Sequence, residues 1–213
     1  MMTTVTVFGA AYSVYVRSVR LALEEKGVTY DLVEIDIFAE AGPPAAYLQR
    51  HPFGRIPAFQ HGDFRLYETA AITRYIDEAF AGPPLQPVTA KGRARMTQVL
   101  SILDNYAYRP LVWDIYVERV LRPATGKTVD EAKITAAVEK ARLCLGALSD
   151  LMGEGPWLAG SALTLADLHA AAIFDYFMQA PESVRLLGAL PSLRKWWERV
   201  AARDSLGRTR PAR

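Results

Sequence analysis

Ser13 stands where a β-branched run, Thr4-Val5-Thr6-Val7-Phe8, gives way through Gly9 and two alanines to a helical pattern. A hydroxyl at such a junction shares its space with the N–H groups of the first helical turn, which have no partner inside the helix. Serine caps helices routinely, and the same geometry would also stabilise a thiolate. A free thiol ionises near a pKa of about 8.5, and a hydroxyl bond beside a helix N-terminus lowers that value. Tyr12 offers a second hydroxyl at the same turn. Downstream, Pro52-Phe53-Gly54-Arg55-Ile56-Pro57-Ala58-Phe59 places an Ile-Pro pair before a short apolar strand. A cis bond at Pro57 would hold the N–H and C=O of Ile56 outward for a ligand with peptide-like groups. Eleven residues after Pro57, Glu68-Thr69 opens a helix through Ile72, Tyr75 and Ile76. Its first N–H groups and the Thr69 hydroxyl favour a carboxylate, and Glu68 can take an ammonium. These residues suit the two ends of an amino-acid group linked to a small thiol.

The elements that must hold them follow from periodicity. Ser13 to Lys26 carries Val16, Val19 and Leu23 at helical spacing before Gly27. Val28 to Ile37 alternates as a second strand, and the right-handed crossover makes the first two strands parallel. A short helix is predicted over Pro44 to Gln49. Ala58-Phe59-Gln60 and Phe64-Arg65-Leu66-Tyr67 flank His61-Gly62-Asp63 as a hairpin, and Glu68 to Phe80 returns to helical spacing. The order βαβαββα is thioredoxin-like. Three prolines in Pro83-Pro84-Leu85-Gln86-Pro87 break the pattern and mark a domain boundary. From Lys91 the periodicity is helical: Met96 to Tyr108, Leu111 to Leu121, Val129 to Met152, Leu165 to Met178, and Pro191 to Ala202. The expected organisation is an α/β domain over 1–80, a linker over 81–90 and an all-helical bundle over 91–213. In the bundle, Thr164 and Asp167 form a capping box, with Leu163 placed for a staple contact to Leu168.

Composition bounds the function. The 213 residues are 51% apolar and 23% charged, which suits a globular chain with a substantial core and no membrane span. The start lacks a basic n-region and cleavage site, so Val5 to Phe8 is a first strand and a cytoplasmic location is expected. The single cysteine, Cys144, lies among leucines as a buried thiol and excludes an intrachain disulfide framework. A formal charge of +2 gives no case for nucleic acid, and the local excess Arg203, Arg208, Arg210 and Arg213 reads as a frayed, solvated end. His51, His61 and His169 have no ligand spacing, so no metal is expected.

The segment Ser13-Val14-Tyr15-Val16-Arg17, with Arg55-Ile56-Pro57 and Glu68-Thr69, resembles the cytosolic glutathione transferases, and within them a serine-type, phi-like bacterial member. The Thr164 capping segment resembles the one in that family's helical domain, so the resemblance spans about residues 4 to 200. It implies a homodimer that conjugates the thiolate of glutathione, its co-substrate, to hydrophobic electrophiles. It implies Ser13 as the residue that activates the thiol. The spacing of Ser13 to Arg17 follows the serine branch, whereas Tyr12 would act as in the tyrosine branches. Glutathione contacts implied are Arg55, Ile56 through its backbone, Pro57, Glu68 and Thr69. The second substrate would lie between the domains, against Tyr12, Tyr15, Tyr108, Trp113 and Tyr116, positions that equally suit core packing. The family's His-Lys pair for the glycine carboxylate is replaced by Gly42 and Pro43. Arg55, where glutamine is usual, either supplies that charge or is a solvated loop arginine. Two further functions stay open: a non-catalytic glutathione- or ligand-binding protein, and a glutathione-dependent peroxidase or isomerase.

Overall fold

A computed structural model describes residues 4–40 and 42–211, divided into two compact units. The first unit holds Met1–Leu85 with Asp204–Arg213, and the second Gln86–Arg203. Arg213 lies outside the described residues.

The first unit is built on a four-stranded mixed sheet in the order β2-β1-β3-β4. The strands are β1 (Val5–Phe8), β2 (Asp31–Val33), β3 (Ala58–His61) and β4 (Phe64–Tyr67). β1 pairs parallel to β2 and antiparallel to β3, and β3 pairs antiparallel to β4, which is the expected thioredoxin-like arrangement. β2 is shorter than its sequence pattern; just before it, the Tyr30 hydroxyl accepts from Arg20 Nε at 3.0 Å and donates to Glu24 at 3.3 Å. Helices α1 (Val14–Lys26), α2 (Ala45–Leu48) and α3 (Thr69–Ala79) complete this part. Val16, Val19 and Leu23 of α1 and Ile72 and Ile76 of α3 are fully buried, as their spacing requires. At the other end of α1, Lys26 Nζ bonds the Asp77 carboxylate at 3.1 Å and the Pro83 carbonyl at 3.2 Å, anchoring the start of the proline-rich segment.

The second unit is helical. α4 (Ala90–Ile102) runs into two π-helical segments, π1 (Leu103–Ala107) and π2 (Arg109–Leu121), then α5 (Arg122–Ala124). α6 (Glu131–Met152), α7 (Leu165–Phe177), α8 (Glu182–Gly188) and α9 (Pro191–Ala201) follow. The sequence pattern suggests two helices broken near Pro110, but the chain continues helically through Tyr108 (φ −56°, ψ −47°). The wider i→i+5 turns explain the side-chain pairing: Trp113 donates to the Tyr108 hydroxyl and Arg109 to Asp114, each at 2.9 Å and five residues apart. Every residue of α7 is buried. Its Thr164–Asp167 capping box is present, and the fully buried Asp167 carboxylate also accepts from Leu158 N–H and Trp196 Nε1, each at 2.8 Å.

Among the described residues the arginine-rich end is helical rather than frayed. α10 (Asp204–Thr209) groups with the first unit, apart from the helices that precede it in sequence. Leu206 is buried, Ser205 donates to Glu25, Arg208 bonds Glu24 at 2.6 Å, and Arg20 donates to the Thr209 carbonyl at 3.0 Å. Among the described residues no helix is long and apolar enough to cross a membrane, and no group of three or more His, Cys, Asp or Glu side chains could hold a metal.

Candidate functional site

Strand register brings the dispersed sequence signals to one end of the sheet. Val33 pairs with Phe8, Phe8 with Ala58, and Ala58 with Tyr67. The next residues outward are therefore Glu34, Gly9, Pro57 and Glu68, a row across all four strands. The β1–α1 turn with Ser13 leaves from Gly9, the Arg55-Ile56-Pro57 segment enters β3, and Glu68-Thr69 leaves β4. Gly9 (φ 153°) allows the first two to meet. A Cβ there would lie 2.5 Å from Val16 Cγ2 and 3.1 Å from Ile56 Cβ.

Ser13 is the N-cap of α1 in extended geometry, and its Oγ accepts from Val16 N–H at 3.4 Å. Because Oγ only accepts in that bond, the half-buried hydroxyl has its proton to donate, beside the first-turn amides of Val14 and Tyr15. Tyr12 is 47% exposed, and its phenol pKa is raised by burial and by the carboxylates of Asp36 and Glu34. A phenol made less acidic is a poorer donor to a thiolate. Tyr15, half-buried, follows on α1.

The Ile56-Pro57 bond is cis, and both residues are buried while Arg55 is exposed. Tyr47 fixes this segment: its buried hydroxyl donates to the Arg55 carbonyl at 2.6 Å, and burial pushes its pKa up to about 12. Sequence reasoning passed over Tyr47, and only its place in the predicted helix over Pro44 to Gln49 could have flagged it. His51 was assigned no role, yet it is 2% exposed, with its ring 4.9 Å from that of Tyr67. Burial lowers its pKa and Arg55 adds to this, against the opposing charge of Glu68. Glu68 adopts φ 72°, ψ 116°, the one positive φ outside glycine among the described residues. Such a conformation costs about 1–3 kcal/mol and is typical of ligand-holding turns. It sets exposed Glu68, at the end of that row, and half-buried Thr69 at the start of α3.

Tyr108, Trp113 and Tyr116 belong to the second unit, whereas Tyr12 and Tyr15 belong to the first. Tyr108 and Trp113 bond each other, and Tyr116 lies against Tyr176 at 4.8 Å between ring centroids.

Comparison with known proteins fits this geometry. The glutathione S-transferase N-terminal domain family matches residues 7–84, and the glutathione S-transferase C-terminal domain family matches residues 105–204. The chain is 32% identical over 209 residues to the probable glutathione S-transferase GSTF1 of Oryza sativa subsp. japonica, covering 96% of this chain and 94% of that one. It is 30% identical over 210 residues to glutathione S-transferase 3 of Zea mays, with 98% and 94% covered. Among solved structures, glutathione S-transferase I from maize in complex with an atrazine glutathione conjugate superposes with a TM-score of 0.85 at 28% identity, covering 97% and 96% of the two chains. The glutathione-bound theta class enzyme of Xanthomonas axonopodis pv. citri gives 0.81 at 25% identity, covering 100% and 99%.

Proposed function

We propose, from the premise that this chain belongs to the glutathione S-transferase family and is a glutathione transferase, that it works by the serine route. The observation that carries this is the register row that gathers the Ser13 turn, the Ile56-Pro57 segment and Glu68-Thr69 at one end of the sheet. Glu68 receives the γ-glutamyl ammonium, and Thr69 with the first α3 amides receives the adjoining carboxylate. The Ile56 backbone groups, set by the cis bond to Pro57, pair with the cysteinyl backbone. The sulfur then sits at the start of α1, where the Ser13 hydroxyl donates to it. Arg55 takes the glycine carboxylate, in place of the His-Lys pair that Gly42 and Pro43 displace.

The chemistry needs little more. The thiol proton leaves to solvent, and the thiolate forms a C–S bond to an electrophilic carbon. A leaving group departs with its electron pair, or the neighbouring carbon is protonated in an addition. The protein ionises the sulfur, positions it and holds a hydrophobic acceptor close. As family resemblance implies, the enzyme acts as a cytoplasmic homodimer.

A conjugation assay with a chloronitroaromatic acceptor, on wild type, Ser13→Ala and Tyr12→Phe, tests the assignment. Loss of the serine bond raises the thiol pKa by about one to two units, so Ser13→Ala loses about 10- to 100-fold in kcat/KM near neutral pH. Tyr12→Phe stays within about threefold. The reverse pattern would move the role to Tyr12. The Gly42-Pro43 departure favours one second reading, a glutathione-binding protein without catalysis, and tight glutathione binding with no turnover would establish it.

A further inference from the structure

We infer that Glu34 makes the acceptor side of this site select against anionic electrophiles, so that neutral and cationic electrophiles are its substrate class. The inference rests on the glutathione reading above. In the row across the sheet, the glutathione contacts occupy the β3 and β4 columns, and the sulfur reaches the β1–α1 turn. Glu34 stands on the far side of that turn, in the β2 column. Its carboxylate does not swing freely: Oε1 and Oε2 accept from Ala11 N–H at 3.1 and 3.3 Å. This pins a negative charge against the residue that precedes Tyr12 and Ser13. Asp36 is fixed nearby by its own turn, with Oδ1 accepting from Phe38 N–H at 2.8 Å. The Tyr12 phenol feels both carboxylates.

Among the described residues neither carboxylate is in an ion pair. Of the cations in this region, Arg50 stacks over Phe8 at 4.2 Å and bonds Gln60, and Arg17 is fully buried in the first turn of α1. Arg55 is exposed on the segment that enters β3. An acceptor within bonding distance of a sulfur at Ser13 and beside Tyr12 therefore feels the field of the Glu34 and Asp36 carboxylates. At exposed separations this field changes relative kcat/KM by about two- to fivefold per unit of acceptor charge, and salt weakens it.

The test uses Glu34→Gln, which keeps an oxygen for the Ala11 amide and removes the charge. Asp63→Asn, in the hairpin turn at the other end of the sheet, makes the same change in net charge. Neutral chlorodinitrobenzene and anionic chloronitrobenzoate are compared at low ionic strength, and the ratio of their kcat/KM values is taken for each protein. The ratio is expected to fall about two- to fivefold in Glu34→Gln, remain at the wild-type value in Asp63→Asn, and converge among all three at high salt. The pH profile of Glu34→Gln should also move down, because a charge that opposes the thiolate is gone, whereas a structural defect would not move it that way. An unchanged ratio in Glu34→Gln, or an equal fall in Asp63→Asn, overturns the inference while leaving the conjugation reading in place. Inactivity of wild type toward both acceptors overturns the reading beneath it and the inference together.

Discussion

Gly9 is the point at which the fold and the site depend on the same few ångströms, and Gly9→Ala tests that dependence. The added Cβ would stand 2.5 Å from Val16 Cγ2 and 3.1 Å from Ile56 Cβ, against about 3.5–4.0 Å for carbon atoms in contact. Roughly 1 Å must be found on the Val16 side. Val16 is fully buried in the first turn of α1, so the space comes from moving that turn or the residue before Pro57. Overpacking of this kind costs about 1–3 kcal/mol, and an alanine held at φ 153° adds about 1–2 kcal/mol. Val16→Ala alone opens a void and costs about 1–3 kcal/mol. In the double variant the alanine methyl enters that void, and the overpacking is relieved. Urea unfolding of the four proteins should therefore show a favourable coupling of about 1–3 kcal/mol. Conjugation should follow: a 1 Å shift of the Ser13 turn lowers kcat/KM by about 100-fold in Gly9→Ala, with partial recovery in the double variant. Additive stability losses, or a Gly9→Ala enzyme of wild-type activity, would refute the idea that Gly9 sets the distance between α1 and the Ile56 segment.

Tyr47→Phe removes the 2.6 Å bond to the Arg55 carbonyl and should cost about 1–2 kcal/mol of stability. Steady-state kinetics should show a several-fold rise in the KM for glutathione with kcat little changed, since the ring remains and only the segment proposed to receive the peptide is loosened. Asp167→Ala strands Leu158 N–H, Thr164 N–H and Trp196 Nε1 in a buried site, so urea denaturation should register a loss of about 3–5 kcal/mol. His51 gives a pH dependence of definite sign. Its folded pKa lies below the unfolded value, so its contribution is present above about pH 6.5 and is lost as pH falls through the folded pKa. Urea midpoints measured between about pH 7.5 and about pH 5 should therefore fall more in wild type than in His51→Gln.

What could be read in advance were residues that declare their own backbone. Ser13, the Ile56-Pro57 pair and Glu68-Thr69 each mark a helix start or a constrained bond, and each lies at its expected boundary. Their convergence was not legible residue by residue. It comes from register, in which one pairing on each side of β3 decides that Gly9, Pro57 and Glu68 end level. Contacts between distant positions left no local trace either. Glu34 reaches Ala11 across 23 residues, and Arg20 reaches the Thr209 carbonyl across 189. The arginines near the C-terminus therefore looked like a frayed end, when Leu206 and polar contacts from Arg20, Glu24 and Glu25 hold α10 to α1. The second unit shows a different limit. Apolar spacing does not distinguish i→i+4 from i→i+5 winding over a few turns, so Met96 to Tyr108 and Leu111 to Leu121 read as separate helices. That winding then decides which side chains meet. It pairs Tyr108 with Trp113, so a substitution at Trp113 alters Tyr108 as well, and the two must be varied together before either is assigned to an acceptor.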